Sequence, residues 1–204
     1  MKVLIGCEES QIICGEFRKA AYEAYSCDLL PTRGNPEWHF QEDIINVIRA
    51  IPNWDLIILH PDCTAMAVSG NRWYGRGMPR HQERLAAIVW TLKLWELACN
   101  HSHKVALENP VSVIFPEISY QTMCMDFNIF YVQPWQFSHG ETKKTGFATF
   151  GLPELKPTAI VQGREQRVWK MPPGPNRKRD RSATYKGIAK AIVDQWGPLL
   201  CPRT

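Results

Sequence analysis

Trp54-Asp55-Leu56-Ile57-Ile58-Leu59-His60-Pro61-Asp62-Cys63-Thr64, residues 54–64, decides the fold. The unbroken run of aliphatics suits a central parallel strand covered on both faces, because a strand with one wet face would alternate apolar with polar residues. Pro61 and Asp62 then end the strand in a polar turn that carries a cysteine. Outward from this segment, Val3-Leu4-Ile5 reads as a buried strand and Gly6 to Gln11 as a turn. Ile12, Phe17, Ala20 and Ala21 are spaced for a helix packing back. Tyr22 to Asp28 supplies a second short strand ending in an acid. Between Glu83 and Cys99, the residues Leu85, Ile88, Val89, Leu92, Trp95 and Leu97 recur at helical spacing, which predicts a long crossover helix. Lys104 to Leu107 then forms the next strand, and Glu108-Asn109-Pro110 stops it. Strands alternating with helices predict an α/β fold with a doubly wound, mostly parallel sheet, which binds ligands outside the carboxyl ends of its strands.

The chain of 204 residues, with 45% hydrophobic content, is long enough for one core and short for two ordinary domains, so one domain over 1–204 is expected. Residues 1–115 carry the regular pattern, and 116–204 form a looser remainder. There, Val132 to Phe137 and Phe147 to Phe150 read as short strands, Pro153 to Pro157 as a loop, and Ile188 to Trp196 as a closing helix. Met171 to Asn176 is too rich in proline for regular structure. No stretch approaches the roughly 20 apolar residues that span a bilayer, which excludes a helical membrane anchor. Seven scattered cysteines without a secretory leader point to reduced thiols and a cytoplasmic setting. The net charge of +4 is unevenly spread. Segment 164–190 holds Arg164, Arg167, Lys170, Arg177, Lys178, Arg179, Arg181, Lys186 and Lys190, a basic stripe suited either to a polyphosphate partner or to a solvated loop face.

The chemistry-bearing constellation is His60-Pro61-Asp62-Cys63-Thr64 at one strand end and Leu107-Glu108-Asn109-Pro110 at the next. In a parallel sheet these two turns are neighbours. Taken singly, Cys63 would read as a buried structural thiol and Glu108 as a helix-start carboxylate. Together they make a nucleophile beside an acid, with the thiol activated by turn amides or a following helix N-terminus. His60 with Cys63, or Cys99 with His101 and His103, lack the paired ligands of a zinc site, so no metal is expected.

The pair P-D-C-T and E-N-P resembles the Pro-Cys and Glu-Asn-Val motifs of the DNA cytosine carbon-5 methyltransferase family, in particular its short phage and prophage members. The resemblance covers about the first 115 residues and implies a Rossmann-like, S-adenosylmethionine-dependent fold with an irregular basic C-terminal region. It further implies that Cys63 attacks carbon 6 of cytosine while Glu108 engages ring nitrogen 3. Both groups are needed, because thiolate addition to the ring is uphill unless the developing charge is met by a proton. Asn109 would hold Glu108, and Pro110 would stiffen the turn.

By the same resemblance the cofactor would be S-adenosylmethionine, held by Gly6, Cys7, Glu8, Glu9 and Ser10 after the first strand, with Pro61 at the nucleophile turn. The family's glycine-rich loop is replaced here by Gly6-Cys7-Glu8-Glu9-Ser10-Gln11. This cofactor has no phosphate to cradle, and acids can receive its amino group and sulfonium charge. Asp28, at the end of the second strand, would take the ribose hydroxyls, and Asp43 would sit near the adenine. The expected partner is DNA. Ser69, Arg72 and Trp73, in a glycine-flanked loop over the base, would contact it. So would His139, Lys143 and the basic residues Arg164, Arg167, Lys170, Arg177, Lys178, Arg179 and Arg181. The family's target-recognition domain has no room, which implies low sequence selectivity. Modification of a free cytosine nucleotide, or a silent DNA- or protein-binding module, are the alternatives.

Overall fold

The computed structural model describes residues 1–121, 127–175 and 177–200. Its centre is a seven-stranded sheet: β1 (Lys2–Gly6), β2 (Glu23–Asp28), β3 (His39–Gln41), β4 (Leu56–Leu59), β5 (Val105–Pro110), β6 (Phe127–Val132) and β7 (Thr145–Phe150). The spatial order is β3-β2-β1-β4-β5-β7-β6. The first five strands run parallel, while β7 is antiparallel to both β5 and β6. This is the doubly wound, mostly parallel sheet expected from the sequence, and the order reverses between β1 and β4.

The helices are α1 (Ile12–Lys19), α2 (Ile44–Ala50), α3 (Asn71–Tyr74), α4 (His81–His101), α5 (Ile114–Gln121), α6 (Arg167–Lys170), α7 (Arg177–Ser182) and α8 (Lys186–Trp196). Strand periodicity of two divides the core into two layers. Val3, Ile5, Leu56, Ile58 and Ala106 pack with Phe17 of α1 and with Ile188, Ile192 and Trp196 of α8. Leu4, Ile57, Leu59, Val105 and Leu107 pack with Ile48 of α2, Leu94 and Trp95 of α4 and Phe115 of α5. Both faces are covered, so the central strands are apolar throughout.

Three elements differ from the sequence reading. Glu108-Asn109-Pro110 does not stop β5, because β7 pairs with these residues at Phe147, Gly146 and Thr145 and carries the strand on. Val132 to Phe137 is not a strand; β6 ends at Val132, and Pro134–Gln136 forms a 3-10 turn in which Gln133 N–H donates to the Gln136 side chain at 2.6 Å. The segment Ser69 to Tyr74 is a turn leading into α3 rather than an open loop. Buried Arg84 tethers it, donating to Ala65 O at 2.7 Å, Asn71 Oδ1 at 2.8 Å and Ala67 O at 3.3 Å. Asn176 lies outside the described residues. Among the described residues no helix is long and apolar enough to cross a membrane.

Candidate active site

Strands β4 and β5 release their chains side by side, with Leu59 opposite Leu107 in register. His60 continues the ladder, its N–H donating to Gly6 O at 2.9 Å. On β5, Glu108 shares the face of Ala106, and the same parity puts His60 on the face of Ile58. The two side chains meet: His60 Nδ1 lies 3.0 Å from Glu108 Oε2, with 11% and 12% of the side chains exposed. Burial alone would push the Glu108 carboxyl up, but the His60 hydrogen bond and charge, with help from Lys143, hold it below the usual carboxylate range.

Cys63 follows two residues beyond Pro61, half-buried, with its carbonyl accepting from Met66 N–H at 3.0 Å and Ala67 N–H at 2.8 Å. The sequence reading gave this thiol an activated, low value. The structure gives the opposite direction: burial, then Glu108 and Asp62, push it up, and Lys143 is the opposing charge. Carboxylates near the sulfur disfavour the thiolate more than the turn favours it. Asp62 accepts from Thr64 N–H at 2.9 Å and pairs with Lys178 of α7 at 2.9 Å. Despite partial burial, these contacts keep it ionised below its usual range.

Asn109 does not hold Glu108. Adjacent residues on a strand face opposite ways, so Asn109 turns away from Glu108, buried at 1% exposure, and donates from Nδ2 to Pro61 O at 3.0 Å. It therefore ties β5 to the cysteine turn. Asn109 Oδ1 and His60 Nε2 are buried and have no hydrogen-bond partner among the described residues.

On the far side of the switch point, Gly6 closes β1 where a Cβ would press on Ile44 Cδ1 at 2.7 Å and Leu59 Cδ2 at 3.0 Å. Cys7 follows at φ 58°. Burial, then Asp28, Cys27, Asp43 and Asp62, drive its thiol far up, so three acids from different strand ends converge there. Glu8, 5% exposed, turns into the start of α1 and accepts from Ile13 N–H at 2.9 Å and Cys14 N–H at 3.4 Å. Glu9 pairs with Arg33 at 2.7 Å, and Ser10 Oγ donates to Glu8 at 3.2 Å. These three expected cofactor residues thus organise their own loop. Asp28 accepts from Leu30 N–H at 2.9 Å, and Asp43 caps α2 through Ile45 N–H at 2.9 Å.

Of the expected nucleic-acid contacts, Lys143 adds a positive charge that acts on both Cys63 and Glu108. Ser69, Arg72 and Trp73 are exposed, with the Arg72 guanidinium 5.4 Å from the Trp73 ring. His139 is committed elsewhere: its Nε2 accepts from Gly187 N–H at 3.0 Å and its ring meets Tyr185. Arg167 pairs with Glu141 at 2.8 Å, Arg164 lies 4.0 Å over Trp135, and Arg177 donates to Met171 O at 2.8 Å. Lys170 and Arg179 are exposed and Arg181 is partly so. The sequence reading missed the His60 pairing with Glu108, although His60 stands at the same strand exit as Cys63. It also missed the reach of Lys178 to Asp62, which spans 116 residues and leaves no local signal. Among the described residues, no cluster of three or more His, Cys, Asp or Glu is arranged to hold a metal ion.

No protein-family model and no curated protein matches the sequence. Solved structures do resemble it. The Entamoeba histolytica methyltransferase EhMeth is 11% identical with a TM-score of 0.51, over 82% of this chain and 58% of that one. The Schizosaccharomyces pombe Dnmt2 methyltransferase is 13% identical with a TM-score of 0.49, over 83% and 54%. A protein assigned as a DNA modification methyltransferase encoded within an E. coli prophage is 13% identical with a TM-score of 0.48, over 85% and 55%. The chain therefore spans little more than half the length of these structures. The likeness to EhMeth is one of fold: a mostly parallel, Rossmann-like α/β sheet.

Proposed function

We propose that this chain methylates carbon 5 of cytosine in DNA, with Cys63 as covalent nucleophile, Glu108 as the acid at ring nitrogen 3, and little selectivity for flanking sequence. The observation that carries the reading is a thiol and a largely buried carboxyl at the exits of adjacent parallel strands, both subject to the charge of Lys143. In a doubly wound sheet this is the edge at which ligands bind. Attack by sulfur at carbon 6 moves charge toward nitrogen 3, and a carboxyl beside that nitrogen lowers the barrier by meeting the charge with a proton. Lys143 opposes the negative field that holds Cys63 as a thiol, so a bound base that displaces water would strengthen its effect.

S-adenosylmethionine fits the opposite half of the same edge. Asp28, Asp43 and Asp62 converge around Cys7, and such a field suits a sulfonium and an ammonium group. Asp28 would meet the ribose, with Leu29 and Leu30, 71% and 59% exposed beside it, as apolar surface for the adenine. When bound, the cofactor supplies an electrophilic methyl group. Glu8 is less suited to the role, since its oxygens are taken by α1. Exposed Arg72, Trp73, Lys170 and Arg179 would contact the nucleic-acid backbone and an unstacked base.

The test is methyl transfer from labelled S-adenosylmethionine to cytosine-containing duplex DNA, single-stranded DNA and cytosine nucleotides. Label in DNA with the wild type and none with Cys63→Ala supports the reading. Label in nucleotides alone, insensitive to salt, would move the substrate to the small molecule. Salt-sensitive DNA binding with no label in any acceptor would leave a binding module.

A further inference from the structure

The chemistry proposed for Cys63 and Glu108 leaves one buried titratable group beside them without a role. His60 is fixed at its backbone by Gly6 O and at its ring by Glu108, 3.0 Å from Nδ1. Buried Glu8, in the loop after β1, also feels the His60 charge. The imidazole thus contacts one carboxylate through Nδ1, and among the described residues Nε2 has no hydrogen-bond partner. A structural histidine in this position would be expected to satisfy both nitrogens. An imidazole hydrogen-bonded to a carboxylate can pass a proton along that bond.

We propose that His60 is a positioning residue and proton carrier for Glu108: Nδ1–H orients the carboxyl and resupplies the proton that the carboxyl gives to ring nitrogen 3. The proposal rests on the cytosine reading above. It answers a conflict in that site, since a carboxyl held ionised by its neighbour can act as an acid only if a proton reaches it as charge develops. A donor 3.0 Å away meets that need in a site with little access to bulk water.

The step balances as follows. The Cys63 thiol first loses its proton to water. The sulfur electron pair forms the bond to carbon 6, the carbon 5–carbon 6 π pair moves to carbon 4–carbon 5, and the carbon 4–nitrogen 3 π pair takes the proton from Glu108. Glu108 takes the proton of imidazolium Nδ1, leaving neutral His60. When sulfur is later expelled, the nitrogen 3 proton returns along the same path. His60 contacts Glu108 and its charge acts on Glu8; Lys143 acts on Glu108, and Glu108, Asp62 and Lys143 act on Cys63.

Two variants of the full chain test this. His60→Asn keeps an N–H donor near the Nδ1 position without a transferable proton, and His60→Ala removes both. The first readout needs no turnover: a carbon-13 titration of the Glu108 carboxyl, assigned against Glu108→Gln. The midpoint is expected to rise in both variants, because the His60 hydrogen bond and charge are what lower it most. The second readout is methyl transfer, with kcat expected to fall about 100-fold in His60→Asn. The alkaline limb of the wild-type profile should disappear while KM for DNA and S-adenosylmethionine affinity stay within about twofold. Added imidazole should restore part of kcat in His60→Ala. An unmoved Glu108 midpoint, or unchanged kcat and alkaline limb in His60→Asn, overturns the relay while leaving the cytosine reading standing. A wild type that labels no cytosine overturns both.

Discussion

Replacing Asn109 tests whether β5 holds the cysteine turn through one buried amide. Its Nδ2 reaches Pro61 O at 3.0 Å from a side chain 1% exposed. Asn109→Ala removes that bond and leaves the Pro61 carbonyl without this donor, at a cost of about 1–3 kcal/mol. The loss is partly offset because Oδ1, also deleted, has no partner among the described residues to lose. For a domain of this size the melting temperature should fall by roughly 3–10 °C. Asn109→Asp should cost more, since it turns a donor into a second acceptor against Pro61 O and buries an uncompensated charge, an effect of about 3–5 kcal/mol. Urea unfolding of the three proteins gives the order, and iodoacetamide trapping of Cys63 below the unfolding transition reports the turn itself, with faster alkylation in both variants. Equal stability of Asn109→Asp and Asn109→Ala, or an alanine variant within about 0.5 kcal/mol of wild type, would refute the tether.

Further outcomes follow from the electrostatics and packing. Because Glu108 is one of the charges that push the Cys63 thiol up, Glu108→Gln should quicken alkylation of Cys63 near pH 8, and Lys143→Met should slow it. Glu8 and Glu108 should bend the stability profile in opposite senses, as thermal melts from pH 3 to 8 against the Gln variants will record. Burial raises Glu8, so the folded state binds the extra proton. Its contribution is full in acid and is lost as pH rises from the ordinary carboxylate range through its raised value. Glu108 is lowered, so its contribution is present above the ordinary range and is lost as pH falls through its lowered value. Gly187→Ala would by helix propensity gain about 1 kcal/mol. A Cβ there, however, meets the Phe137 carbonyl, so denaturant unfolding should show net destabilisation and weakened docking of α8.

What the sequence disclosed depended on how local the signal was. Residues 3–5 and 56–59, with both faces buried, read directly as strands, and 188–196 showed the closing helix. Helix α5 escaped notice because it straddles the boundary drawn at residue 115 and carries Pro116 in its first turn, a position where proline is tolerated. The extension of β5 through Glu108 to Pro110 is made by β7, almost forty residues on, and no window of sequence contains it. The same holds for the site. The strand-end turns pointed to Cys63 and Glu108 as neighbours, yet the charge state of Glu108 depends on His60 and Lys143 and that of Cys63 on Glu108, Asp62 and Lys143, groups that no single stretch of sequence brings together. Glu8, Glu9 and Ser10 looked available for a ligand because the hydrogen bonds that occupy them are invisible until α1 and the Arg33 loop are in place.

The most direct test of the central claim is covalent trapping. The wild-type chain is incubated with S-adenosylmethionine and an oligonucleotide carrying 5-fluorocytosine, whose fluorine cannot leave as a proton does, and the product is read by intact mass and peptide mapping. The account predicts a denaturation-stable adduct at Cys63 that also carries the transferred methyl group, abolished in Cys63→Ala and strongly reduced in Glu108→Gln. Wild-type protein that binds the oligonucleotide and forms no adduct, or an adduct that persists in Cys63→Ala, would contradict it.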